Sequence, residues 1–309
     1  MREAAVAFVF HPLYRRRLPA DRRLPAGKAG LLHDLARAAG LLEGAPVLAP
    51  APAPRPWLEL AHHPAWVARA LSGRLEARER RLLGFAPTPD WLLRVRLGVG
   101  GTVLAARLAL DHGLAFHFAG GGHHAGPDGP GPFCLFNDVA VAVRVLRAEG
   151  RVRRVLVLDL DVHQGDGTAR IMARDADIAT VSLHAARNHP VRKARSRLDL
   201  ALDDGLDGTA YLTLLHRLLP PLLDRLRPEL ALVVAGVDVH RDDPLGRLAL
   251  DDAALAARER LVLGMLRARG IPSAWVPGGG YGPPEVAARR HLVSLGALCA
   301  AAAASQVAS

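Results

Sequence analysis

Runs that are apolar at nearly every position, such as Val155-Leu156-Val157-Leu158 and Leu230-Ala231-Leu232-Val233-Val234, recur along this chain between helix-length segments. A strand with no polar face has no side it can turn to water, so it must be covered by helices on both faces, which is the environment of a parallel sheet. Strands are expected at residues 4–10, 114–118, 153–160, 178–183, 229–234 and 272–276. Helices are expected near 29–39 and at 64–71, 90–110, 137–148, 208–227 and 252–269, with one more at the C-terminus. In the long helix 90–110 an apolar face runs through Leu93, Leu97 and Leu104, and Gly98, Gly100 and Gly101 permit close packing. The Pro-rich stretch 46–56 reads as a surface crossing, too short to mark a domain boundary. The expected architecture is an α/β fold, a single three-layer domain over residues 1–309 with a mostly parallel central sheet.

The remaining bounds come from composition. The chain of 309 residues is 50% hydrophobic, enough for a large core, yet it holds no uncharged apolar run long enough to cross a bilayer. It opens without the basic region, apolar run and cleavage site of a secretion signal, and Cys134 and Cys299 are its only cysteines. Two cysteines make neither a disulfide framework nor a thiolate cluster, and both observations point to a reducing, cytoplasmic setting. The net charge of +10 raises nucleic acid as a partner, but the basic residues are scattered and, apart from Lys28 and Lys193, are all arginine. No zinc finger, basic stripe or aromatic-basic interleaving accompanies them, so specific nucleic-acid binding is not expected.

In a parallel sheet the loops leaving the carboxyl ends of the strands form the ligand crevice. Strand 153–160 runs into Asp159-Leu160-Asp161-Val162-His163-Gln164-Gly165-Asp166-Gly167. Asp161 and His163 are two residues apart, so at a strand end they share a face and can offer a carboxylate oxygen and an imidazole nitrogen to one cation. Most Asp-x-His triplets are turn or surface residues, and this one gains weight from its neighbours. After strand 229–234, Gly236-Val237-Asp238 adds a second carboxylate at an equivalent edge. The three side chains together would leave one coordination position for water or a carbonyl oxygen. After strand 114–118 comes Gly120-Gly121-Gly122-His123-His124, and after strand 272–276 comes Gly278-Gly279-Gly280-Tyr281. The glycines could be plain turns and Tyr281 plain packing. A turn-borne tyrosine can also aim its hydroxyl at a developing oxyanion.

Those pieces, with Phe133-Cys134-Leu135-Phe136-Asn137-Asp138 and Thr180-Val181-Ser182-Leu183-His184, occur in one order over roughly residues 3–295. In that combination the chain resembles the zinc-dependent histone or lysine deacetylases of the arginase-deacetylase fold, nearest their class IV and bacterial branch. The resemblance implies Zn2+ on Asp161, His163 and Asp238. It makes His124 the proton-transfer residue, oriented by Asp166, pairs His123 with Asp159, and gives Tyr281 the task of polarising the acyl carbonyl. It further implies a structural K+ held by Asp159, by Asp161 and His163 through their backbone oxygens, and by the Ser182-Leu183 segment. The substrate channel would be walled by Gly122, Phe133 and Cys134, with Val191 on the opposite side. Cys134 is not expected to act as a nucleophile, because no paired base accompanies it.

Two departures concern that channel. Val191 stands where an aromatic residue commonly follows proline, which would widen the slot, and Pro132 precedes Phe133 where glycine is usual. The same loop carries Arg187, Arg192, Lys193, Arg195 and Arg197. Such a run is ordinarily a solvated face; at the rim of a crevice it would repel polyamines and favour neutral or acidic acyl-lysine contexts. The expected activity is hydrolysis of the amide of an acylated amine, with acyl-lysine in a protein or peptide as substrate. An acetylpolyamine or other small acylated amine is the alternative. A non-catalytic acyl-lysine binder and a two-manganese arginase-like hydrolase are the further readings to be discriminated. No membrane partner is expected, and no motif encodes an oligomeric state.

Overall fold

The computed structural model of the chain describes residues 6–16 and 27–307. Strand β4 (Val155–Asp159) lies inside the sheet and is buried at all five positions. Around it, in chain order, come β1 (Ala7–Val9), α1 (Lys28–Ala38), β2 (Val47–Leu48), α2 (Arg55–Glu59), α3 (Pro64–Leu71), α4 (Ala77–Leu83), α5 (Pro89–His112), β3 (Leu114–His117) and α6 (Asp138–Ala148). Past β4 the chain continues through α7 (Asp166–Met172), β5 (Ile178–Ala185), β6 (Leu198–Leu202), α8 (Gly208–Leu226), β7 (Leu230–Val234), α9 (Asp252–Arg267), β8 (Ser273–Val276) and α10 (Pro284–Val307). The eight strands form one sheet in the order β2-β1-β3-β8-β7-β4-β5-β6. Every ladder in it is parallel, a stricter arrangement than the mostly parallel sheet expected.

The alternation of β4 explains its continuous apolar sequence. Leu156 and Leu158 point into a core shared with Leu32 of α1, Leu215 of α8, Leu255 of α9 and Leu295 of α10. Val155 and Val157 point into a second core with Trp66 of α3, Val99 of α5 and Val141 of α6. The sheet is thus the middle of three layers, and both of its faces are dry.

Register fixes where loops emerge. Asp159 at the end of β4 pairs with Ser182 of β5 on one side and Val234 of β7 on the other, and Val234 pairs with Val276 of β8. The carboxyl ends of these central strands therefore end in a row, and the segments that follow them leave side by side.

Several elements differ from expectation at the sheet margins. The Pro-rich stretch 46–56 is not only a crossing: Val47–Leu48 forms edge strand β2, paired with β1, and α2 begins at Arg55. Proline is tolerated there because an edge strand needs hydrogen bonds on one side only. Strand β6 at the opposite edge was not expected, since Leu-Asp-Leu-Ala-Leu lies in a basic loop and is only partly buried. On α5 the buried face includes Leu97, Gly100, Gly101 and Val103, whereas Leu93 faces outward. Gly101 is where the helix meets the sheet closely, because a Cβ there would lie 2.2 Å from the ring of His117 on β3. Residues 4–5 of the first expected strand lie outside the described residues.

Because β4 carries the loop on which the site depends, a cavity beneath it should register in stability. Leu158→Ala is expected to cost about 2–5 kcal/mol, read as a lower urea midpoint with an unchanged denaturant slope.

Candidate active site

The loop after β4 brings Asp161 and His163 to Asp238 on the loop after β7. His163 Nδ1 lies 3.0 Å from Asp161 Oδ1 and 3.1 Å from Asp238 Oδ2. Both carboxylates are fully buried, at 0% exposure. Backbone groups hold them in place: Gly279 N donates to Asp161 Oδ2 at 2.6 Å, and Val162 N donates to Asp238 Oδ1 at 2.9 Å. Gly279 must be glycine for this approach, since a Cβ would fall 2.0 Å from Asp238 Oδ2.

The electrostatics of the triad favour a cation. Burial, then the charge of Asp161, pushes the Asp238 carboxyl up to about 7. Burial alone would lower His163, but its hydrogen bonds to Asp161 and Asp238 raise it to about 10. Protons thus stand in for positive charge among three convergent donor atoms, and a carboxylate-imidazole-carboxylate set suits a divalent ion of borderline softness.

Beside this centre the two adjacent histidines are held differently. His123 Nδ1 sits 2.7 Å from Asp159 Oδ2, and His124 Nδ1 sits 2.8 Å from Asp166 Oδ1. Burial pulls His123 down, but the charges of Asp159 and Asp161 outweigh it and raise it to about 9. For His124, burial and the positive charge of His123 prevail over Asp166 and lower it to about 3. The neighbouring rings, with centroids 4.1 Å apart, are thus pushed in opposite directions by their surroundings. Divergent pKa values in a pair of titratable groups mark an assignment of acid and base roles. Asp166 also pairs with Arg170 at 2.9 Å; burial pushes its carboxyl up, but the hydrogen bond from His124 together with the neighbouring positive charges, Arg170 among them, keeps it low.

Tyr281 completes the arrangement from the loop after β8. Its backbone N donates to Asp243 Oδ2 at 2.8 Å, and its ring stands edge-on to His163 with centroids 5.9 Å apart. Burial and the carboxylates of Asp161 and Asp238 hold its hydroxyl well above the ordinary phenol value, so it is a neutral donor. Phe133, with its ring centroid 6.1 Å from that of Tyr281, forms a wall. Its backbone has φ of 61°, a strained conformation for a bulky residue, braced by the paired hydrogen bonds of Gly131 and Cys134 on either side. Gly122 lies on the same wall, its N donating to Asp138 Oδ1 at 2.6 Å. Burial pushes the Cys134 thiol up to about 12, which keeps it a thiol and not a nucleophile.

The histone deacetylase domain, as a family pattern, matches residues 23–295 of this sequence. The chain belongs to that family. It is 44% identical over 273 residues to an uncharacterised protein of Picosynechococcus sp., a match covering 88% of this chain and 91% of the relative. Histone deacetylase 2 of Arabidopsis thaliana is 29% identical, over 78% of this chain and 65% of that protein. A probable deacetylase of Methanothermobacter thermautotrophicus is 32% identical, over 66% of this chain and 64% of its own length. The crystal structure of the HDA15 HD domain superposes with a TM-score of 0.79 at 20% identity, covering 96% of this chain and 87% of that one. That likeness shows the shared arginase-deacetylase fold.

Within this histone deacetylase frame, one expected wall residue is displaced. Val191 is 98% exposed and does not line the cleft. The ring on that side belongs to His189, edge-on to His124 with centroids 4.8 Å apart and 6.5 Å from His163. A search for an apolar aromatic passes over a histidine, although its place just before Pro190 in the same loop is the available signal. Lys193 folds this loop by donating to Asn188 O at 2.6 Å and Pro190 O at 2.8 Å, while Gln164 ties it to the Asp161 loop through Ala194. Ser182 and Leu183 are buried on β5, and Ser182 Oγ lies 3.0 Å from His184 Nδ1.

Three supporting residues were not singled out in the sequence. Asp138 at the start of α6 accepts from Gly121 N and Gly122 N and so shapes the turn before the histidines. Asp243 anchors Tyr281. Arg258 on α9, fully buried, donates to Leu160 O at 3.2 Å and Gly236 O at 2.8 Å and is neutralised by Glu259 at 2.6 Å. One guanidinium thereby joins the two strand ends that carry Asp161 and Asp238.

The raised values of His163 and Asp238 give a sign for metal binding. At pH 6 both groups hold protons that a divalent ion must displace, so affinity should increase as pH rises through 7 and on toward 10. Calorimetric titration of zinc in two buffers of different ionisation enthalpy should show net proton release at pH 6. An apparent enthalpy independent of buffer would contradict it.

Proposed function

We propose that the protein is a zinc-dependent amidohydrolase that removes acyl groups from acylated amines, with acyl-lysine in a protein or peptide as its substrate. The observation that carries this reading is a pair of adjacent histidines, each hydrogen-bonded through Nδ1 to its own carboxylate, at the edge of a buried Asp161-His163-Asp238 centre. A zinc ion held by those three residues supplies Lewis-acid polarisation of the amide carbonyl and increases the acidity of a water.

The chain's own residues then account for proton movement. The Nδ1 hydrogen of His124 is directed to Asp166, which leaves Nε2 unprotonated to take the proton of the attacking water as its oxygen bonds the acyl carbon. His124 returns that proton to the amine nitrogen as the carbon-nitrogen bond breaks, because an amine anion leaves poorly. His123, held by Asp159 through Nδ1, presents its other ring nitrogen toward the centre and stabilises negative charge growing at the reacting carbonyl. The Tyr281 hydroxyl donates to the same oxygen, a contact that exists fully only in the transition state.

Lysine is favoured over a polyamine by the loop after β5, where Arg187, Arg192, Arg195 and Arg197 are exposed. That loop is tied to the catalytic centre by Gln164, so its charge repels a polycation near the cleft. A structural potassium ion near Asp159 belongs to the same proposal: the carboxylate stands opposite Ser182 in the ladder and accepts from Asp161 N at 3.2 Å. A cytoplasmic setting agrees with two free cysteines, and no described helix is long and apolar enough to cross a membrane.

The test is turnover by zinc-loaded protein across acetyl-lysine peptides, longer acyl-lysines and acetylated polyamines. Acyl-lysine peptides should be hydrolysed, and Tyr281→Phe should lower kcat about 10²–10³-fold with little change in KM. Absence of turnover on every acylated amine would sink the proposal, as would a tightly bound pair of manganese ions.

A further inference from the structure

The catalytic residues open on a cavity much larger than an acetyl group needs. It has a volume of about 210 Å³ and runs from His123 and Tyr281 to Tyr14, Lys28 and Arg94. A single water requires about 10–15 Å³ of such space. The acyl end of a substrate therefore has room for a chain of several atoms.

The polar groups at the far end are unequal in what they have left to bind. Lys28 Nζ donates to Gly278 O at 2.9 Å and Gly280 O at 3.4 Å, bracing the turn before Tyr281. Tyr14 donates to Leu97 O at 2.9 Å and also meets His117 Nε2 at 3.0 Å. Asp138, the carboxylate on this wall, is saturated by Thr102 Oγ1, Gly121 N and Gly122 N. Arg94 differs. Its Nε is buried with no hydrogen-bond partner, and no carboxylate among the described residues pairs with its guanidinium. The residue as a whole is half-buried, but arginine cannot shed its charge, and leaving its enclosed Nε–H without an acceptor is costly. Its planar fork matches a carboxylate with two parallel hydrogen bonds.

Building on the deacylase reading, we propose that this cavity takes acyl groups that end in a carboxylate, of the succinyl and glutaryl class, with the distal carboxylate paired to Arg94. The chemistry is that of the same site: water adds its oxygen to the acyl carbon, the carbon-nitrogen bond breaks, the nitrogen gains a proton, and a dicarboxylate is released. Arg94 touches the substrate's far end and selects it, with no part in bond breaking.

The experiment compares kcat/KM for succinyl- and glutaryl-lysine peptides with the uncharged pentanoyl- and hexanoyl-lysine peptides of similar length. At least one acidic acyl group should be preferred at least tenfold over its uncharged counterpart, and Arg94→Gln should lower that ratio at least tenfold. Independently of turnover, free glutarate or succinate should bind the wild-type protein in calorimetry where hexanoate does not, which requires no variant. Hydrolysis of acetyl- and hexanoyl-lysine with refusal of both acidic groups would overturn this inference alone. An acidic preference untouched in Arg94→Gln would overturn the assignment to Arg94. No hydrolysis of any acyl-lysine would remove the deacylase reading, and this inference with it.

Discussion

Two carboxylates buried against one imidazole set the terms for everything around them. Asp161 and Asp238 have no contact with solvent, and each charge removed from water costs several kcal/mol unless it is met by opposite charge or hydrogen bonds. The fold answers from every side. Backbone amides from two loops point inward at the carboxylates, the aspartate loops are fixed from behind by the Arg258 guanidinium, and Lys28 clamps the turn that supplies Gly279. Behind Arg258 stands its own neutralising partner, Glu259, which accepts a further hydrogen bond from Ser294 on α10. What remains uncompensated is a deficit of positive charge at the donor atoms themselves, which is the condition for holding a cation.

That deficit also separates the two histidines. His123 faces both Asp159 and Asp161 and gains a proton from their field; His124, one residue on, faces only Asp166, which Arg170 already shares. Identical side chains are thus shifted in opposite directions over a distance of 4.1 Å between ring centres. The chemistry proposed above uses this difference, since one imidazole must accept a proton while the other stabilises charge. A neutral Tyr281 hydroxyl on the opposite side follows from the same carboxylate field.

Much of this was legible in the sequence because the motifs sit at strand ends. A strand covered on both faces has a compositional signature that survives without knowledge of its neighbours, so β3, β4, β5, β7 and β8 could be read directly. The margins could not. Strands β2 and β6 are only partly buried, and their identity comes from the ladder to β1 or β5 and not from their own residues. The wall of the cleft failed for a related reason: Val191 and His189 lie two residues apart in one loop, and only the loop's fold, set by Lys193 and Gln164, decides which of them turns inward. Arg258 is a single arginine among many, and nothing local marks it as the one that crosses the core.

By itself the sequence determined the chemistry on offer: a buried parallel sheet, two aspartates and a histidine able to share a cation, a pair of histidines with a carboxylate partner for each, and a tyrosine on a glycine turn. The sheet and the Asp161-x-His163 step are properties of residue type and short spacing; the histidine partners and the role of the tyrosine came through the resemblance of the ordered motifs to the deacetylase family. The tertiary structure decided which groups face each other and how many of their hydrogen bonds are already used. It left the buried Nε of Arg94 without a hydrogen-bond partner among the described residues while Lys28, Tyr14 and Asp138 were all engaged, and it moved the pKa values of adjacent histidines in opposite directions. The physical reason is that burial and charge pairing act through space, across segments as distant in sequence as Lys28 and Gly278, and so cannot be read from either segment alone.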